Sequence, residues 1–71
     1  MENINIGSKL AELRNGLSLT QDEVATTLGI SNKTLSKYEN GISEPSLTML
    51  IKIAEYYGVS TDYLLGLSKE R

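Results

Sequence analysis

Residues 20–40 read TQDEVATTLGISNKTLSKYEN, and this stretch decides the fold. It divides at Gly29 into two short helices. Thr20 opens the first. Its hydroxyl is placed to accept from the Glu23 amide, and the Glu23 carboxylate can reach back to the Thr20 amide, which makes a capping box. Asp22 and Glu23 also sit at the positive end of the helix dipole. Val24, Ala25 and Leu28 give that helix one apolar face, and Gly29 ends it where a left-handed residue is needed. Ile30 then plugs the turn, and Ser31 is a good N-cap for the next helix. Leu35 and Tyr38, three apart, mark its inner side, and Asn40-Gly41 stops it.

Outward from this stretch the rest also reads as helix. Upstream, Ile6, Leu10 and Leu13 are spaced by four and three, one face of a helix that should end between Arg14 and Leu17. Asn15-Gly16 weakens it there, since glycine costs about 1 kcal/mol against alanine. Residues 1–5 are polar and expected to fray. Downstream of the loop GISEP, Ser46 caps a helix whose apolar stripe is Leu47, Leu50, Ile53, Ala54 and Tyr57. This is the most apolar stretch and the expected core helix, with Gly58 as its stop. Ser60 caps a short last helix, TDYLLG, ending at Gly66 before a charged tail, LSKER. Tyr38 and Tyr57 are expected in the core with their hydroxyls at the surface. With five helices and no strand, linker or repeat, residues 1–71 read as one all-α domain with its core in 6–66.

Composition narrows the function. A chain of 71 residues supports roughly 4–10 kcal/mol of stability and leaves no room for a cleft between lobes. Cysteine and histidine are both absent. Thiolate zinc sites and disulfides are thereby excluded, and the commonest general base and metal ligand is missing. An enzyme, a metal site and a cofactor are not expected. No apolar run approaches the ~18–20 residues that span a bilayer, and no signal peptide is visible, so a cytoplasmic protein is expected. The net charge of −2 argues mildly against nucleic acid, whose binding domains are usually basic. Where the charges sit therefore matters.

Counting Gln21 as position one, apolar residues fill the fourth (Val24), eighth (Leu28), tenth (Ile30), fifteenth (Leu35) and eighteenth (Tyr38) positions. Ala25 must be small where the helices cross, and Gly29 must turn. This is the spacing of a helix-turn-helix, which lays its second helix in the major groove of DNA. Lys33 and Lys37 lie four apart on one face of that helix, which carries no carboxylate of its own on that face. Paired lysines are most often a plain solvated face; after so well formed a turn, a DNA-facing surface is the stronger reading. Asn32 suits adenine N6 and N7, lysine suits guanine O6 or N7, and Thr34 could meet a thymine methyl or just fill the surface.

The run LTQDEVATTLGISNKTLSKYENG, with P-S-L, A-E-Y-Y-G-V-S and D-Y-L-L-G after it, resembles the Cro and phage-repressor type of helix-turn-helix domain, also called the xenobiotic response element family. The resemblance covers about residues 6–66. It implies a compact five-helix bundle of the lambda-repressor-like type, working as a dimer on a two-fold operator. It further implies that Gln21 contacts DNA backbone or an outer base, and that Asn32, Lys33 and Lys37 face the groove with Thr34 and Ser36 beside them. Asn40 would hold a phosphate, and Arg14 and Glu39 would form an ion pair between the first and third helices. With Glu39 neutralised, the third helix carries two net positive charges in an acidic chain. One departure is visible: many relatives have glycine where this chain has Ser18, and here Gly16 comes two residues earlier.

The expected function is a sequence-specific transcriptional regulator, a repressor, bound to double-stranded DNA as a homodimer. Asn32, Lys33, Thr34 and Lys37 are expected to read bases. Thr20, Gln21, Ser31, Ser36, Asn40 and Ser43 are expected to hold phosphates and register. Arg14, Glu39, Ala25 and Gly29 are structural. Ile42, Pro45, Tyr56, Val59 and Tyr63 form a possible dimer patch, with scattered surface apolars nearly as good a reading; Met49 and Ile51 pose the same question. No small-molecule ligand or membrane is expected. The rival reading is a protein-interaction module of the same fold, such as an antitoxin or adaptor, which the overall acidity favours modestly.

Overall fold

Each helix after the first begins on a hydroxyl. Thr20, Ser31, Ser46 and Ser60 all sit in extended backbone and accept from the amide three residues on. These caps place α2 (Gln21–Leu28), α3 (Asn32–Glu39), α4 (Leu47–Tyr57) and α5 (Thr61–Leu64) after α1 (Ile6–Gly16). The computed structural model describes residues 6–71; the expected fraying of residues 1–5 lies outside them. At Thr20 the full capping box forms, with Glu23 N–H donating to Thr20 Oγ1 at 3.1 Å and Thr20 N–H to Glu23 Oε1 at 2.9 Å.

All five helices of the described residues end alike. Two nested backbone bonds close a Schellman motif around one left-handed residue. After α2, Ile30 N–H donates to Ala25 at 3.0 Å and Gly29 N–H to Thr26 at 3.2 Å, with Gly29 at φ +75°. After α1, Leu19 N–H donates to Arg14 at 3.1 Å and Ser18 N–H to Asn15 at 3.0 Å, with Ser18 itself at φ +57°. Ser18 therefore does what glycine does at the other four ends, against the steric cost of its Cβ. Gly16 stays helical.

Leu10, Leu13, Val24, Leu28, Leu35, Ile53 and Leu64 fill one core. Ala25 is buried, as the helix crossing requires. The closest approach joins α1 to the end of α3: a Cβ on Gly7 would lie 2.6 Å from the Glu39 carbonyl oxygen and 2.7 Å from that of Tyr38. Gly7 thus sets the seating of α3. A lone glycine in a first helical turn gives no local sign of that role.

A second tie lies beside it. Arg14 Nε donates to Glu39 Oε2 at 2.7 Å, and Arg14 Nη2 to Glu39 Oε1 at 3.0 Å. Gln21 Nε2 donates to the same Oε1 at 3.0 Å, and Arg14 Nη1 to the Leu19 carbonyl at 2.9 Å. The expected Arg14–Glu39 ion pair is therefore the centre of a network joining α1, α2 and α3. The side chains are only 15% and 5% exposed, so water screens the pair little. The hydrogen bonds it donates to Glu39 outweigh burial and hold the Arg14 guanidinium more firmly charged than usual.

Three expectations fail. Leu47 is 74% exposed, not core. At about 100° per residue the buried stripe of α4 centres between Leu50, Ile53 and Tyr57, and Met49 joins one flank, packed on the core. Leu47 falls on the other flank with exposed Ile51. Tyr63 is buried and leaves the dimer patch; the Lys9 ammonium lies 4.9 Å and the Arg71 guanidinium 5.5 Å from its ring centroid. The Tyr57 hydroxyl does not reach the surface: it is buried, with no hydrogen-bond partner among the described residues. Burial, then the nearby Glu39 charge, push the Tyr57 phenol up to about 12, while Arg14 opposes them.

Three outcomes are expected. Ser18→Gly should stabilise the domain by about 0.5–1 kcal/mol in urea unfolding, by relieving the left-handed Cβ. Arg14→Met should cost roughly 3–5 kcal/mol by stranding Glu39, and Arg14→Met/Glu39→Met should recover most of it; the single variant would then sit near the edge of folding for a domain this small. The third concerns alkaline pH. A phenol raised from its ordinary value of 10 to about 12 contributes stability fully present below pH 10 and lost between about 10 and 12. Melting temperature should fall less steeply across that window in Tyr57→Phe, which at pH 7 should be neutral or stabilising because a buried unpaired hydroxyl is removed.

Candidate nucleic-acid interface

The helix-turn-helix sets the start of α2 beside the start of α3, and this places the expected reading residues. Asn32, Lys33 and Lys37 are exposed on α3; Thr34 and Ser36 are half-buried. Neither lysine has a partner among the described residues, so both ammonium groups are free for a ligand. Two other lysines are occupied: Lys9 lies over Tyr63, and Lys52 Nζ donates to the Leu28 carbonyl at 2.9 Å. Lys52 caps the last turn of α2 from α4, a role that no local pattern announces.

Several expected contact residues already hold internal bonds. Ser31 Oγ accepts from Thr34 N–H at 3.0 Å and donates to Thr34 Oγ1 at 2.9 Å, so both hydroxyls are turned into the cap. Asn40 Nδ2 donates to Ser36 Oγ at 3.2 Å. The Thr20 hydroxyl is engaged in its capping box and is exposed. Ser43 is half-buried in the turn after α3, its amide donating to Lys37 at 3.3 Å. Gln21, expected to point at DNA, instead gives its amide to Glu39 in this structure.

α3 itself carries no free carboxylate on that face, as expected, since Glu39 is turned inward, but α2 brings one against its first residue. Asn32 Nδ2 donates to Asp22 Oδ1 at 2.7 Å. The two are ten residues apart and meet only because the turn folds one helix start over the other. Glu39, by contrast, is withdrawn from the surface, and Glu23 is held in its cap. Of the dimer patch, Ile42 is 72% exposed, while Pro45, Tyr56 and Val59 are half-buried, the last two packed on the core and Tyr56 edge-on to Tyr57 at 5.0 Å. No described helix is long and apolar enough to cross a membrane.

Comparison with known proteins agrees with this geometry. A helix-turn-helix family model matches residues 10–64. The transcriptional regulator ImmR of Bacillus subtilis is 43% identical over 63 residues, covering 89% of this chain and 50% of ImmR. The antitoxin PezA of Streptococcus pneumoniae is 39% identical over 64 residues, 90% of this chain and 40% of PezA. The chain thus spans about half the length, or less, of these relatives. Among solved structures, the P22 c2 repressor in complex with a synthetic operator superposes with a TM-score of 0.83 at 27% identity, covering 89% of this chain and 96% of that one. On the helix spacing, the five-helix fold and these matches, the chain belongs to the Cro and phage-repressor type of the helix-turn-helix family.

Proposed function

We propose that this chain is the DNA-binding domain of a transcriptional repressor that reads a palindromic operator as a homodimer. The observation that carries the reading is the exposed α3 face with its two unpartnered lysines, on a backbone so like that of a repressor bound to operator. α3 enters the major groove. Lys33, Lys37 and Asn32 meet base edges, with Thr34 beside them. Thr20, Ser31, Ser36, Asn40 and Ser43 lie along the phosphates, together with the free amides at the start of α2. Gln21 supports the helix pair from within, through Glu39, rather than being held outward.

Size supports the dimer. The domain measures 31 × 23 × 21 Å, and successive half-sites on one side of the duplex are about 34–36 Å apart. One domain therefore reaches one half-site, and two supply the affinity. Ile42 and the half-buried Pro45, Tyr56 and Val59 remain the proposed contact between copies, without Tyr63. Covering a promoter would repress it, in the cytoplasm. The likeness to an antitoxin favours a second reading, in which a domain of this kind belongs to a protein that also binds a toxin.

Selection of bound sequences from random duplex DNA tests the proposal, with a two-fold motif as the expected result. Lys37→Ala should weaken binding to the selected site by about 1–3 kcal/mol and relax one base position if it reads a base. If it touches phosphate only, all sequences should weaken together and the salt slope should drop by about one. Unchanged affinity in both Lys33→Ala and Lys37→Ala would remove α3 from the groove.

A further inference from the structure

The Asp22–Asn32 bond does more than join two helix starts. A carboxylate offers acceptors only, so the Asn32 group facing Asp22 must be its NH2. This settles the orientation of the amide: the flipped form would set Asn32 Oδ1 against a carboxylate oxygen at 2.7 Å, acceptor against acceptor. With the N–H anti to Oδ1 given to Asp22, the free edge of the amide presents Oδ1 and the syn N–H side by side. That edge is an acceptor next to a donor. Adenine offers the complement in the major groove, an N6 donor next to an N7 acceptor, whereas guanine offers two acceptors, O6 and N7.

Asn32 is the first residue of α3 and is exposed, so its outward edge lies on the face proposed to meet the bases. Asp22 cannot be explained as a cap. The capping box at this helix start is complete with Thr20 and Glu23, and Asp22 takes no part in it. As a first-turn acid it suits the dipole of α2, yet a carboxylate beside the proposed groove face repels phosphate. We infer that Asp22 is a specificity-positioning residue: it locks the Asn32 amide in the orientation that accepts adenine and rejects guanine, at some cost in overall affinity for DNA. The inference rests on the DNA-binding reading above.

The experiment is selection from random duplex DNA with the wild-type chain, Asp22→Ala, Asp22→Asn and Asn32→Ala, with melting temperature recorded for each. Asp22→Asn keeps the size of the side chain but can accept or donate, so it frees the amide without opening a gap. The wild type should select adenine at one position of each half-site, and Asn32→Ala should lose that preference. Both Asp22 variants should lose about tenfold of the adenine-over-guanine discrimination at that same position. They should keep the rest of the motif and bind the site, and unrelated duplexes, at least as tightly as wild type. A purely structural role would weaken every position together and lower the melting temperature. Asp22 variants that keep the adenine preference, or a preference indifferent to Asn32, overturn the inference while leaving the DNA reading intact. A wild-type chain that selects no motif overturns both.

Discussion

The buried carboxylate of Glu39 is the constraint on which the arrangement of the first three helices depends. A carboxylate only 5% exposed is tolerable only if its lone pairs are met. Here Arg14 supplies two bonds and Gln21 a third, from two different helices. Both partners would lose their bonds if α3 rotated or slid. Apolar contacts among Leu10, Val24 and Leu35 hold the helices together, but such contacts tolerate small shifts. The ionic network does not, so it supplies register where the core supplies adhesion. Gly7, pressed against the last carbonyls of α3, removes the remaining slack.

The same network resolves the electrostatic difficulty of an acidic chain with a proposed DNA-facing helix. The net charge of −2 is not spread evenly. Glu39 is turned inward and neutralised, Glu23 closes a cap, and Lys9 and Lys52 are spent on a ring and a carbonyl. Lys33 and Lys37 are left free on one face of α3. Net charge describes the sum, whereas a groove meets only the local field, which a Debye length of about 8 Å at physiological salt confines to the nearest few residues. Asp22 is a carboxylate set against that face, and its bond to Asn32 gives a reason for it.

Much of the fold was legible because its decisive interactions are local. A hydroxyl at an N-cap bonds the amide three residues on, and a Schellman motif spans six residues, so Thr20, Ser31, Ser46, Ser60, Gly29 and Gly58 each declare a boundary within a few positions. The Arg14–Glu39 pair was readable through family resemblance alone, since its members are 25 residues apart. Ser18 was visible only as a departure from that pattern. Its left-handed backbone shows that the motif survives the loss of glycine because the two backbone bonds and the Arg14–Leu19 contact hold the turn.

Of the proposed site, the sequence by itself determined where α3 begins and ends and that Lys33 and Lys37 share a face, because period and capping are properties of short stretches. Only the tertiary structure decided which polar groups remain free. Gln21 and Glu39 satisfy each other, Asp22 takes one side of Asn32, and Ser31 closes on Thr34. Tertiary packing likewise buried Tyr63, brought two cations to its ring and left Leu47 in solvent. The division has one physical reason. A helix boundary depends on bonds within one or two turns of chain, whereas the availability of a side chain depends on what distant segments bring against it.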